Sequence, residues 1–400
     1  MIPHDIEIGL TDDDRAMWET AHRFAEEVLR PAGRALDRLV DPVDVIAADS
    51  VLWSVIKEYR ELGFARLYQD TEMEPAARAR LIAIINEELA WGDVGLAIAT
   101  GLCSFHPPWI QQTGDRELIA RFCDPDNLTI GCWALTEPDH GSDTVTVSEP
   151  HFRDPALKPN CVARKDGDSY VISGQKAAWV SNGSIADVAV LFCTVDRDQG
   201  FAGGGVFCVP LDLPGVERGR PLDKLGQRSL NQGELFFNEV RVPASYMALG
   251  PEFYPIALES MLGYANAGMA QLFVGLARSA LDHAVAYAKE RVQGGRPIFE
   301  HQAVRSRLFK MFMRVEASRA LARRVAIYNG VNMPQVQNSI AAKVFCTNSA
   351  FEVASDAVQI FGGNGLSREY PVEKLLRDAR ASMIEDGCNE VLGLVAATKL

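Results

Sequence analysis

The chain has 400 residues, with 40 Lys+Arg against 53 Asp+Glu and a formal net charge of −13. An apolar share of 48% and a charged share of 23% exclude global disorder, because a chain this apolar can bury a large core. The acidic balance argues against non-specific nucleic-acid or anionic-membrane binding, which needs a basic surface, but allows a phosphate-bearing ligand held by a few local arginines.

Residues 11 to about 125 read as helices. Thr11 followed by Asp12, Asp13 and Asp14 predicts a helix start, with a capping hydroxyl and then negative charge at the positive end of the dipole. Apolar residues recur at helical spacing over 17–35, a second helix is expected near 52–62 and a third over 75–92. In the third, Glu88 falls inside the apolar stripe, where a paired structural carboxylate is expected, and Glu87 points away from it. Asp93 reads as a surface charge. From 128 to about 243 the apolar residues come in short runs bounded by Gly, Asp, Asn and Pro, the texture of strands. After Pro243 the helical period returns, with long helices expected over 255–291, 301–329 and 334–361 and a last one from Asn389. The plan is α+β: an N-terminal helical domain (1–127), a middle β-barrel or sandwich domain (128–243) and a C-terminal helical bundle (244–400).

The eight cysteines include no C-x-x-C pair and no cluster with metal-ligand spacing, so no metal site is expected and buried free thiols fit a reducing compartment. The N-terminal segment lacks a basic region followed by an apolar one, and no run of 18 apolar residues occurs; no signal peptide or membrane helix, and a cytoplasmic location, are expected.

Three stretches could carry chemistry. In 134–144, Ala-Leu-Thr-Glu-Pro-Asp-His-Gly-Ser-Asp-Thr, a strand ends and a hydroxyl-rich loop follows; it reads either as a plain turn or as a cradle for a phosphate or a heterocycle edge. In 174–183, Trp179 stands two residues before Ser181 and beside an Asn-Gly turn, placed to stack on a flat ring or to pack in a core. In 359–366, Gln-Ile-Phe-Gly-Gly-Asn-Gly-Leu, the glycines follow a helix rather than a strand, which rejects a dinucleotide fingerprint and leaves a turn open to close approach.

Together these stretches resemble the acyl-CoA dehydrogenase family of flavoproteins, as do Glu290-Arg291, His301-Gln302 and the Arg377-Asp378-Ala379 run, over nearly the whole chain. The resemblance implies FAD as cofactor, with Thr136 and Ser142 facing the flavin and its phosphates and with Trp179 and Ser181 against the isoalloxazine. Arg291, Gln302, Gln359, Gly362 and Gly363 would meet the adenine half and pyrophosphate across a subunit interface. It also implies a homotetramer, an acyl-CoA or related thioester as substrate and an electron-transfer flavoprotein as acceptor.

Desaturation at Cα–Cβ needs a carboxylate base in a water-poor site. Most family members place a Glu directly before a Gly near the C-terminus, and here Asp386 stands there, shorter by one methylene, about 1.5 Å of reach. Four readings stay open: Asp386 as base with a branched or cyclic acyl group seated deeper, Glu385 in its place, different flavin chemistry such as an oxidase or elimination, or Asp386 as a mere helix cap. A catalytically silent subunit of a hetero-oligomer is a further alternative. The alternative family position for a Glu, 262–266, holds no carboxylate. Asn266 and Gly393 stand where the family usually has Arg, Cys388 where Thr is common and Gly294 where Phe is usual. These substitutions bear on the CoA handle more than on FAD.

Overall fold

The computed structural model describes residues 7–68, 70–124, 129–157 and 159–400. The expected boundary between 127 and 128 lies outside the described residues. Seven helices come first: α1 (Asp12–Phe24), α2 (Arg30–Asp37), α3 (Val51–Glu61), α4 (Pro75–Gly92), α5 (Val94–Leu102), α6 (Pro107–Thr113) and α7 (Arg116–Phe122). Thr11 caps α1 as its sequence predicts: its hydroxyl accepts from the Asp14 amide at 3.1 Å, and the Asp14 carboxylate accepts the Thr11 amide at 2.9 Å.

The strands follow: β1 (Gly131–Ala134), β2 (Val162–Asp166), β3 (Ser169–Ser181), β4 (Val188–Thr194), β5 (Gly204–Pro210), β6 (Val216–Arg218), β7 (Gln232–Pro243) and β8 (Met247–Leu249). They form one sheet in the order β6-β7-β3-β2-β4-β5-β8, with β1 pairing parallel to β4. Every residue of β4 and β5 is buried, which is why both read as continuous apolar runs. β2 escapes the sequence reading because Arg164, Lys165 and Asp166 are exposed and leave no apolar run to detect.

The C-terminal part packs α8 (Tyr254–Glu290), α9 (Gln302–Val331), α10 (Val336–Phe361) and α11 (Val372–Ser382) as a bundle, and α12 (Asn389–Ala397) closes on α10. No helix among the described residues is long and apolar enough to cross a membrane.

Two charges sit differently from their sequence reading. Glu87 is 1% exposed, because its side of α4 is covered by α8 and α9. Its carboxylate meets Arg278 at 3.1 Å, Arg319 at 2.9 Å and Arg323 at 2.8 Å. Asp93 is buried as well; it caps α5 through the Leu96 amide and pairs with Lys374 at 2.6 Å. Glu88 is the paired structural carboxylate expected, held by Arg278, His22 and Trp18.

Candidate active site

A cavity of about 1400 Å³ opens between the sheet and helices α4, α5, α8 and α11. Thr136, Ser142, Trp179, Ser181, Glu385 and Asp386 all line it. Residues from three distant segments therefore share one wall, and the backbone shows how.

β3 pairs with β7 at Lys176 opposite Leu235 and again at Val180 opposite Gly233, so four residues advance against two. This bulge releases residues 177–179 from the ladder. The Ala177 amide donates instead to the Thr136 carbonyl at 2.8 Å, tying the first loop to the second. Trp179 turns outward and is 58% exposed, an apolar ring facing open space rather than core. The Gln232 amide nitrogen donates to Ser181 Oγ at 3.0 Å and fixes that hydroxyl. Beneath the loop, Lys176 pairs with Glu137 at 2.7 Å, both buried, and Glu137 also accepts the Cys161 amide at 3.2 Å. That anchor makes the cradle rigid.

Asp386 sits in a turn between α11 and α12 with φ of 54°, followed by Gly387 at 91°. Asp tolerates the left-handed region better than most residues. It is not the cap of α12: the N-cap is Cys388. Burial pushes the Asp386 carboxyl above the usual carboxylate range, and the Lys343 ammonium opposes the rise. Glu385 is pushed up to about 7, by burial first and by the Asp386 charge second. Its Oε1 accepts from Gln227 Nε2 at 2.6 Å. Two amines face this pair. Burial brings Lys224 down to about 7 and Lys343 down to about 8. None of Gln227, Lys224 and Lys343 had been singled out from sequence, since each belongs to an ordinary polar or helical context.

Arg291, Gln359, Gly362 and Gly363 line a second cavity of about 820 Å³, near the far end of α8. Gln302 is exposed at the start of α9 beside it, outside its lining. A Cβ on Gly362 or Gly363 would meet nothing within 4 Å, so both glycines leave a free backbone surface. Asn266, where a cation is usual, is 0% exposed and donates to Leu262 of its own helix at 2.9 Å. It offers a ligand no charge.

The residues fit a flavin. The main cavity combines an outward indole, hydroxyls at its edge and an apolar interior, and the second adds Arg291, which has no acidic partner among the described residues.

Known proteins agree. Residues 132–240 match the acyl-CoA dehydrogenase middle domain and residues 255–400 its C-terminal domain. A short-chain specific acyl-CoA dehydrogenase from Megasphaera elsdenii is 31% identical over 99% of this chain and 100% of its own length. The solved butyryl-CoA dehydrogenase of the same organism superposes with a TM-score of 0.85 at 30% identity, covering 98% of this chain and 99% of that one. A chain solved in work on the electron transferring flavoprotein of Acidaminococcus fermentans gives 0.84 at 30% identity, covering 98% of this chain and 99% of that one. The chain belongs to the acyl-CoA dehydrogenase family, flavoprotein oxidoreductases that act on the CH–CH group of their donors.

Proposed function

We propose that this chain is an FAD-dependent dehydrogenase of an acyl thioester, in which Asp386 removes the α-proton. One observation carries the reading: Asp386 stands in the same cavity wall as Thr136, Ser142, Trp179 and Ser181, with its carboxyl pushed up by burial.

Thr136, Ser142, Trp179 and Ser181 would hold the flavin end, and Arg291, Gln302, Gln359, Gly362 and Gly363 the adenine and pyrophosphate of an FAD shared with a neighbouring subunit. Apart from Gln302, which lies beside the second cavity, the two groups of residues line separate cavities, which supports a cofactor shared between subunits, as in a homotetramer. Bound flavin supplies the acceptor for the hydride that leaves Cβ.

The chain's own residues do the rest. Asp386 accepts the α-proton on its carboxylate, and a base whose pKa is raised toward working pH is matched to that task. The apolar wall excludes water from the ion formed. Trp179 would lie against the ring of the bound flavin. Glu385, held by Gln227, stands beside Asp386 as a second carboxyl whose protonation limits the charge in the turn. The relatives support CoA as the thioester carrier, and the Acidaminococcus neighbour supports an electron-transfer flavoprotein as acceptor. The division into 1–127, 128–243 and 244–400 follows the change of texture from helix to sheet and back.

Asp386→Asn tests the reading. It keeps shape and adds no buried charge, so FAD content should stay at one per chain. Anaerobic bleaching by a reactive acyl thioester should slow by ~10² to 10⁴-fold. Bleaching at the wild-type rate would sink the base assignment, and a colourless protein that takes up no FAD would sink the whole reading.

A further inference from the structure

We propose that Lys343 is the positioning residue for the base: its ammonium pins the turn that presents Asp386 to the cavity. The inference rests on the Asp386 reading and deepens it.

Lys343 lies two turns into α10 and is 0% exposed. Its Nζ donates to the Gly387 carbonyl at 2.9 Å and to Asn389 Oδ1 at 2.8 Å. Both acceptors lie on the exit side of the left-handed turn: Gly387 directly follows Asp386 and Asn389 opens α12. Asn389 is itself fixed, donating through Nδ2 to Thr347 Oγ1 and to Asn348 Oδ1, both at 3.0 Å. A buried ammonium is costly without partners, and here both acceptors belong to the base turn or its exit. Lys343 is not among the residues that line the cavity, so it acts through Asp386 rather than on a ligand.

The charge has a second effect. The titratable groups facing Lys343 are Asp386, Glu385 and Cys388 of the turn and Glu390 of α12, and Lys224 faces Glu385 from the loop before β7. Asp386 is the strongest of these on Lys343, and Lys343 in turn opposes the rise that burial imposes on Asp386. One side chain thus sets both where the carboxylate stands and how readily it ionises.

The test is the pH profile of anaerobic flavin reduction in the holoenzyme. The rate should rise with pH as Asp386 loses its proton. Lys343→Met should slow reduction at pH 7 by on the order of 10²-fold through misplacement of the base. It should also move the rising limb upward by roughly one pH unit, because the charge that favoured ionisation is gone. Lys343→Gln, which keeps an uncharged donor one bond shorter in reach, should move the limb as far while losing less rate than Lys343→Met. A purely structural lysine would lower the rate or the flavin content without moving the limb. An unmoved limb in a flavin-loaded variant overturns the proposal, as does failure of both variants to fold. Asp386→Asn, measured alongside, separates the two claims. If it reduces flavin at the wild-type rate, the base reading fails; if it is inactive while Lys343→Met keeps the wild-type limb, only the Lys343 inference fails.

Discussion

Ser142 Oγ accepts a hydrogen bond from the Cys388 amide at 2.9 Å, joining residues 246 positions apart. One comes from the loop that leaves β1, the other ends the turn that carries Asp386. The hydroxyl therefore links the proposed flavin loop to the proposed base turn, so each constrains the other.

Ser142→Ala removes that acceptor and leaves the Cys388 amide without its partner. The expected loss is about 1 kcal/mol of stability, since the amide is half-buried and water reaches it in part. The larger effect should fall on flavin reduction, slowed by roughly tenfold as the turn loosens. Denaturant titration and anaerobic stopped-flow bleaching measure the two. Unchanged bleaching with the expected stability loss would show that the link is only structural.

Glu385 gives the stability a pH signature. Its carboxyl is raised from 4.5 to about 7, so the folded chain holds this proton more tightly than the unfolded one. The stability it contributes is complete below about 4.5 and is lost as pH rises through about 7. Glu385→Gln keeps the Gln227 contact geometry and carries no charge at any pH. The variant should gain thermal stability over the wild type above pH 7 and lose that advantage by pH 4.5. Parallel melting curves across that window check it, and a constant difference would contradict it.

The Glu87 cluster sets a structural prediction. Arg278, Arg319 and Arg323 converge on one carboxylate that is 1% exposed. Glu87→Ala removes the carboxylate that the three share and leaves Arg278 with Glu88, Arg319 with Glu316 and Arg323 with Glu7 alone. Removing one partner of such a cluster costs about 3–5 kcal/mol. Equilibrium urea unfolding should show an unfolding free energy lower by that amount, and a loss under about 1 kcal/mol would mean that Glu316, Glu7 and Glu88 suffice for the arginines.

Cavity volume should decide the acyl group. Gly101 on α5 and Gly268 on α8 both line the cavity, and a Cβ at either would meet nothing within 4 Å. Gly268 lies inside α8, where a glycine weakens the helix, and Gly101 lies in the last turn of α5, so space is their physical use here. Gly101→Val should keep the fold and the flavin. Its kcat/KM should fall by roughly 10-fold or more for the larger thioesters of a chain-length series, and little for the shortest. An unchanged chain-length profile would place the acyl group elsewhere in the cavity.

The sequence by itself determined the order of helix, sheet and helix, because apolar period and turn residues are local properties that tertiary contacts reinforce. Thr11 announced its cap, and the all-buried β4 and β5 announced themselves as apolar runs. The motifs at 134–144 and 174–183 and the Asp386-Gly387 pair were also legible, since their residue types and spacing persist in the chain whatever the packing. Only the tertiary structure decided which polar groups are dry. Glu87 and Asp93 read as exposed charges, and each is buried on arginines or a lysine brought from helices about 190 to 280 residues away. Trp179 was undecided between core and cavity until the bulge in β3 turned it outward. Lys343 carried no signal at all, because a lysine in an amphipathic helix is ordinarily a solvated one. Burial and partnership depend on which distant surfaces meet, and no local pattern holds that information.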